Sequence, residues 1–383
     1  MTFRTGIIGT GDPDGDGFAM AYRHADGYRR REDCEIVACA DVVPENVTAF
    51  AAAYDVPDRG VYEDHERMLA SADLDVVSVC VPPALHDDMT VDAAETGVAA
   101  VHCEKPMALT WGGAKRMAEV CQDRGVQLTI NHQLRYGKPY REARRLVAEG
   151  AIGDLRRVEF QEKTLYDNGT HSFDLANFFV GGDPVDWVLG GIDYTEENTL
   201  FGAHNENQAV VQWRYESGVY GLASTGRGAP AVGPAFRLLG TGGTIEIGDD
   251  GALSYRPDGG NWRTVDTGAD GRYRPDVSSA RRGTELLAER VSSRLADRLA
   301  VPTYTERAID AVVSALVSGD RPELGAGNAL DADELVFAAW ESVRRRGRVD
   351  LPLDVEDNPL ESMVEAGVFL DAEGARASEA TDD

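Results

Sequence analysis

Lysine is nearly absent from this chain. Of 383 residues only four are lysine (Lys105, Lys115, Lys138 and Lys163), and 38 basic residues stand against 66 acidic ones, a formal net charge of −28. A chain so short of positive charge repels nucleic acid and anionic membranes, both of which are held through basic patches. Long apolar runs are missing too: no stretch approaches the roughly 20 apolar residues that a spanning helix needs. The N-terminus, MTFRTGIIGTG, enters a strand at once, without a basic start followed by an apolar signal segment. A cytoplasmic protein with no nucleic-acid or membrane partner is expected. Cysteine is sparse and odd in number: Cys34, Cys39, Cys80, Cys103 and Cys121. No pair has metal-site spacing, so they read as small hydrophobes in a reducing compartment, and no metal site is expected.

The charge imbalance resembles that of haloarchaeal proteins, in which multimolar salt screens self-repulsion. Stability is then expected to fall at low salt. The plainer alternative is an acidic protein from an ordinary cell.

Up to about residue 132, short continuous apolar runs alternate with helix-like segments. The runs are Phe3–Ile8, Ile36–Ala40, Val76–Val81, Ala99–Cys103 and Gln127–Ile130. Unbroken apolar strands are buried on both faces, so this rhythm predicts a doubly wound parallel sheet of the Rossmann type. Beyond it, runs such as Gln208–Tyr215 and Thr244–Ile247 are separated by glycine-rich turns. They predict a mainly antiparallel open sheet with helices on one face. Further helices are expected at about Ser278–Leu299, Thr305–Ser318 and Asp331–Arg346. The division is thus an N-terminal dinucleotide-binding domain (1–132), an α+β substrate domain (133–353), and an acidic tail (354–383) with a disordered end. The helix at 331–346 is a candidate to pack back on the first domain.

Gly9-Thr10-Gly11 follows the first strand, where backbone N–H groups can approach a pyrophosphate. The strict fingerprint then fails, because Asp14 stands where its third glycine belongs. The loop is lengthened, and Gly17 with Phe18 is the best point to restart the pattern. Asp12, Asp14, Asp16 and Gly17 also match the opening of a calcium loop, but Arg23 stands where the closing acidic ligand should be. Asp41 ends the second strand, 24 positions after Gly17, where a carboxylate can accept from the adenosine ribose and repel a 2′-phosphate. Val42, Val43 and Pro44 offer no cation to that phosphate. NAD is therefore expected rather than NADP; the competing reading of Asp41 is a solvated strand end.

Val81-Pro82-Pro83 and Cys103-Glu104-Lys105-Pro106 each end a parallel strand, at the sheet edge where such folds bind ligands. A chain that writes arginine almost everywhere has kept a lysine at 105, and a lysine there can donate to a reacting oxygen. With these residues in view, the sequence resembles the glucose–fructose oxidoreductase/inositol dehydrogenase (Gfo/Idh/MocA) family. The resemblance covers about residues 1–353. It rests on Gly9-x-Gly11, Pro82-Pro83 with His86, Glu104-Lys105-Pro106, Asp167-Asn168-Gly169-Thr170-His171 and Asp174, together with GAIGDLRRVEF and LLGTGGTIEI. It implies an oxidoreductase acting on CH–OH. Val81, Pro82 and His86 would lie at the cofactor and Glu104 on the nicotinamide ribose, with Pro106 fixing the loop through an unusual peptide bond. Lys105 would bind the reacting hydroxyl, His171 would take its proton, and Asp167 would orient His171. An unperturbed histidine titrates near pH 6.5, which suits that base. The competing reading of His171 is a helix-start histidine bonded to backbone.

The substrates the resemblance implies are sugars, cyclitols and their acids, with Arg135, Tyr136, Lys163 and Asn168 as candidate wall residues. Lys163 could read a carboxylate or phosphate, or could simply pair with Glu159 or Glu162. A glycosidase that keeps NAD bound and a non-catalytic NAD-binding sensor remain as alternatives. The open sheet face of the second domain predicts a homodimer or homotetramer.

Overall fold

The computed structural model describes residues 2–14, 19–268, 270–272 and 300–369. They form two compact units. The first holds the described residues up to Ala108, Gly113–Arg141, and those between Thr267 and Ala329; the second holds Leu109–Gly112, Glu142–Asp266 and those from Leu330 on.

The first unit begins β1 (Phe3–Ile8), α1 (Met20–Arg29), β2 (Cys34–Ala40), α2 (Pro44–Tyr54), β3 (Val61–Tyr62) and α3 (His65–Ser71). It continues with β4 (Val76–Val79), α4 (His86–Glu95), β5 (Ala100–Cys103), α5 (Trp111–Arg124) and β6 (Gln127–Ile130), while α6 (Lys138–Ala148) belongs to it only up to Arg141 and to the second unit from Glu142 on. The six strands pair in parallel in the order β3-β2-β1-β4-β5-β6. All four residues of β4 and of β5 are buried, as strands covered on both faces must be. The order reverses between β1 and β4, so the carboxyl ends of these two strands flank a crevice.

The second unit contains β7 (Leu155–Glu162), α7 (Gly169–Val180), β8 (Val185–Asp193), β9 (Thr199–Leu200), β10 (Ala203–His204), β11 (Gln208–Tyr215) and β12 (Tyr220–Gly226). Next come β13 (Phe236–Gly240), β14 (Gly243–Ile247), β15 (Leu253–Pro257) and β16 (Arg263–Val265). The chain then supplies α8 (Tyr304–Ser318) to the first unit, followed by α9 (Ala326–Arg345), β17 (Val349–Asp350) and α10 (Pro359–Glu365). Nine strands form one sheet in the order β16-β15-β14-β13-β7-β12-β11-β8-β17, antiparallel except for β7 with β12. Burial alternates cleanly along β11: Ala209, Val211, Trp213 and Tyr215 are buried, while Val210 and Gln212 are exposed. The buried face packs its aromatics on α7, with Phe173 5.0 Å from Phe160 and 5.1 Å from Trp213. The opposite face shows Leu189, Val210 and Tyr220 to solvent.

By compactness the first unit runs on to Arg141, and residues between Thr267 and Ala329 return to it. α8 joins the first unit because Ile309 presses on Gly27 of α1, where an added Cβ would lie 2.8 Å from Ile309 Cβ. The capping box of Thr303 with Glu306 starts this helix. The helix expected at 331–346 belongs, from Leu330 on, to the second unit. Its Ala339 carbonyl packs so close to Gly190 of β8 that a Cβ there would sit 2.6 Å away, and its Phe337 and Trp340 stack on Tyr166. The start of the expected tail is folded: Asn358 caps α10, which buries Leu360 and Met363. The helix expected at 278–299 and the end of the tail lie outside the described residues. Among the described residues no helix is long and apolar enough to cross a membrane.

Candidate active site

At the end of β1 the chain turns through Gly9 and Gly11, both with positive φ (81° and 64°). A Cβ at Gly9 would lie 2.5 Å from Val81 Cγ1 and 2.7 Å from the Cys80 carbonyl oxygen, so only glycine fits beside β4. Asp41, at the end of β2, holds this turn. Its Oδ2 accepts from Gly11 N (2.9 Å) and Thr10 Oγ1 (3.1 Å), and its Oδ1 accepts from Val43 N (2.9 Å). Beside it lies a cavity of about 210 Å³, lined by Gly9, Gly11, Asp41, Val42, Glu63, Val81 and Pro82 among others. The residues fit a dinucleotide: a side-chain-free turn at the sheet switch point, an apolar wall, and an acidic side chain at the end of β2. Glu63 adds a second carboxylate to the wall, which a 2′-phosphate would meet unfavourably. Gly17 and Phe18, the expected restart of the glycine pattern, lie outside the described residues.

Val81 and Pro82 line the cavity as expected; His86 does not. Its ring is fully buried, with Nδ1 2.7 Å from the Pro106 carbonyl oxygen and Nε2 2.8 Å from that of Val81. No ring nitrogen is left for a cofactor. Burial lowers the His86 pKa, and the two carbonyl bonds oppose it only in part.

Lys105 is half-buried just after β5, and the Lys105–Pro106 bond is cis, the unusual bond implied for this loop. The neighbouring Glu104 turns inward. Its Oε1 takes His24 Nε2 at 2.8 Å and Asn131 Nδ2 at 2.6 Å, and its Oε2 takes Lys105 N at 3.3 Å. Burial alone would raise the Glu104 pKa. The bonds from His24 and Asn131, with the Lys105 ammonium nearby, outweigh it and bring the value down to about 2. This carboxylate, which the resemblance places on a ribose, is held by bonds inside its own unit. Behind it, His24 Nδ1 lies 3.2 Å from Ser78 Oγ, and the His24 ring is 4.9 Å from that of His102. Burial drives the His102 pKa down to about 3.

In the second unit, β7 leads through Thr164-Leu165-Tyr166-Asp167-Asn168 into α7. The helix starts at Gly169, whose N–H donates to the Thr164 carbonyl at 2.9 Å; a Cβ there would lie 2.7 Å from the same oxygen. His171 therefore sits in the first turn of α7, with Asp167 just before it. Both are buried, His171 to 1% and Asp167 to 9% exposure. The segment is held from behind by Asn205 and Glu206. Asp167 N donates to Asn205 Oδ1 at 3.4 Å, and Glu206 Oε1 accepts from Leu165 N at 2.7 Å and Thr225 Oγ1 at 2.8 Å.

The expected substrate walls divide between the units. Lys163 is exposed at the end of β7 and Asn168 is half-buried. The pairing of Lys163 with Glu159 or Glu162 is not found among the described residues. Glu159 pairs with Arg157 and Arg237, and Glu162 accepts from the Ser172 hydroxyl at 2.7 Å. Arg135 and Tyr136 are buried in the first unit. Arg135 donates to the Glu323 carbonyl at 3.4 Å, and Tyr136 packs among Ala308, Val312 and Leu324, which gives both a structural place there.

Sequence reasoning missed His24, Asn131 and Glu206. His24 carried a signal, since Ala21, His24, Ala25 and Tyr28 share the buried face of α1 at helical spacing. Glu206 carried none: it reads as one more acidic residue in an acidic chain.

Comparison with known proteins identifies the family of both parts of the chain. The family model described as the oxidoreductase family with NAD-binding Rossmann fold (GFO_IDH_MocA) matches residues 3–132, and the GFO/IDH/MocA C-terminal domain matches residues 161–246. An inositol 2-dehydrogenase of Rhizobium meliloti (strain 1021) is 26% identical over 237 residues, 55% of this chain and 68% of that protein. A D-glucoside 3-dehydrogenase of Escherichia coli (strain K12) is 33% identical over 229 residues, 50% of this chain and 64% of that protein. The chain spans about half to two thirds of the length of such curated relatives. Among solved structures, a levoglucosan dehydrogenase in complex with NADH and levoglucosan has the same fold (TM-score 0.70, 19% identity, covering 92% of this chain and all of the other). The chain belongs to the Gfo/Idh/MocA oxidoreductase family and carries its NAD-binding Rossmann fold and its C-terminal domain.

Proposed function

We propose that this protein oxidises a secondary alcohol or hemiacetal carbon of a sugar, cyclitol or sugar acid with NAD. The observation that carries the reading is Lys105, one of four lysines, held at the carboxyl edge of the parallel sheet just past β5, the neighbour of the strand β4 whose end lines the cavity beside the glycine turn. When bound, NAD accepts the hydride that leaves the carbinol carbon. Gly9, Thr10, Gly11 and Asp41 hold the dinucleotide, with Val81 and Pro82 as the apolar wall. Lys105 donates a hydrogen bond to the reacting hydroxyl and lowers its pKa. His171 takes the hydroxyl proton, and Asp167 orients the imidazole and stabilises the imidazolium. Lys163 and Asn168 contact the distal substrate groups. Lys163 favours a substrate with an anionic group, since no carboxylate among the described residues pairs with it.

The test is a panel of polyols, aldoses and uronates with NAD or NADP in high salt, read by NADH absorbance. NADH formation with NAD supports the reading. Cleavage of an activated glycoside without net NADH, or cofactor binding without either reaction, overturns it in favour of a glycosidase or a sensor.

The exposed apolar side chains on the free sheet face, Leu189 at 43% and Val210 at 49%, support a homodimer or homotetramer built on that face. Five free cysteines suit a reducing, cytoplasmic setting, and the net charge of −28 suits a salt-rich one of the haloarchaeal kind.

A further inference from the structure

The segment that carries Lys105 is gripped from two sides by fully buried histidines that meet neither solvent nor the cavity wall. From α4, the His86 ring is set between the Val81 carbonyl, just past β4, and the Pro106 carbonyl, just past β5, and the single N–H of the neutral ring is assigned to the shorter contact, Nδ1 to Pro106. From α1, His24 joins Ser78 of β4 to Glu104. The ionised, acceptor-only carboxylate accepts a hydrogen bond from His24 Nε2, and Asn131 Nδ2 lies 3.2 Å from the same nitrogen. On the other side, His24 Nδ1 lies 3.2 Å from Ser78 Oγ and 3.5 Å from Cys80 Sγ, and Ser78 Oγ lies 2.9 Å from the Tyr28 hydroxyl. This chain of contacts ends on the residue before Lys105. The set has the connectivity of a serine–histidine–acid relay, but Ser78 is fully buried, which leaves it a holding role.

We propose that His24 and His86 are positioning residues that set Lys105 for the reacting hydroxyl, His24 through the Glu104 carboxylate and His86 through the Pro106 carbonyl. The proposal rests on the dehydrogenase reading of Lys105. A lysine side chain has many rotamers, and its contact with a reacting oxygen is only as accurate as the backbone that carries it. A misplacement of about 1 Å far from the chemistry can cost on the order of 100-fold in rate. Residues 104 and 106 bracket that backbone, and each is held by one histidine.

The two ring nitrogens of each histidine have different partners, so the amide isosteres separate positioning from filling space. An asparagine amide nitrogen takes the place of Nδ1, and a glutamine amide nitrogen takes that of Nε2. His24→Gln keeps the bond to Glu104, whereas His24→Asn loses it. His86→Asn keeps the bond to Pro106, whereas His86→Gln loses it. With a substrate from the panel, His24→Gln and His86→Asn should retain at least about a third of kcat, and His24→Asn and His86→Gln should lose about 30-fold, with KM for NAD within about twofold throughout. Amide hydrogen exchange over residues 104–107, measured without cofactor, should rise about tenfold in the second pair and stay unchanged in the first. Equal behaviour of the two isosteres at either position, in rate and in exchange, overturns the proposal. Exchange reports on the grip even if no polyol is oxidised, so failure of the dehydrogenase reading is distinct from failure of this one. Where an isostere does not fold, the alanine variant decides: exchange rising at 104–107 alone supports the grip, and a uniform rise over β1–β5 overturns it.

Discussion

Glu206 makes the stability of the second unit depend on pH in an unusual direction. Its carboxyl is completely buried, and its pKa is pushed up to about 7 by burial, against the opposing bonds from Thr225 and Leu165. Oε2 makes no hydrogen bond of acceptable geometry, and neither does the Trp340 indole N–H, although that indole lies near enough to favour the anion. In the unfolded chain the same group ionises near 4.5. The folded state therefore holds its proton longer than the unfolded state does. Stability from this group is intact below about pH 4.5 and is lost as pH rises through about 7. The full loss is about 3 kcal/mol, of which about 2 kcal/mol falls between about pH 5.5 and pH 8.5. Glu206→Gln mimics the protonated carboxyl and keeps the acceptor for Leu165 N and Thr225. The variant should exceed the wild type by about 1 kcal/mol at about pH 5.5 and by about 3 kcal/mol at about pH 8.5, a gap that grows by about 2 kcal/mol. Urea unfolding of both proteins across this range, at fixed high salt, makes the measurement. Parallel stability curves, with no growing gap above pH 6, refute the reasoning.

Lys105→Ala and His171→Ala should each lower kcat by at least about 100-fold while the melting temperature stays close to wild type; near-normal turnover removes that residue from the mechanism. Gly9→Ala must place a Cβ 2.5 Å from Val81 Cγ1 at a φ of 81°, so its affinity for NADH should fall by about tenfold or more in a fluorescence titration. An unchanged Kd would show that the turn does not shape the dinucleotide site. Thermal melts should shift downward as KCl is reduced from multimolar to low concentration, because the net charge of −28 is then unscreened; superimposable melts count against salt adaptation. Light scattering on Val210→Asp should give half or less of the wild-type mass if the free sheet face joins subunits, and the same mass if it does not.

What the sequence discloses here depends on whether a residue's role leaves a mark on its own side chain. The parallel strands were legible because burial on both faces demands runs such as Val76–Val79, and Gly9 because a turn pressed against Cys80 and Val81 admits nothing larger. β3 was missed, being two residues long and paired only to β2. The docking of residues 304–318 on the first unit left no mark in the sequence, because they read as a helix wherever they dock, and only the contact of Ile309 with Gly27 assigns them. The site divides in the same way. Lys105 stood out by composition and the Asp167/His171 pair by motif, since the role proposed for each rests on its own functional group. His86 was visible as a motif residue but its task was not: its partners are two backbone carbonyls, which every sequence offers everywhere. Glu104 was read outward, toward a ribose, because nothing in Glu-Lys-Pro announces that His24 and Asn131 face it from within, 80 and 27 positions away. A motif thus names the groups that meet the substrate, while the groups that aim them are recorded only in the fold. In this chain the aiming groups are histidines and a glutamate that composition alone would assign to the surface.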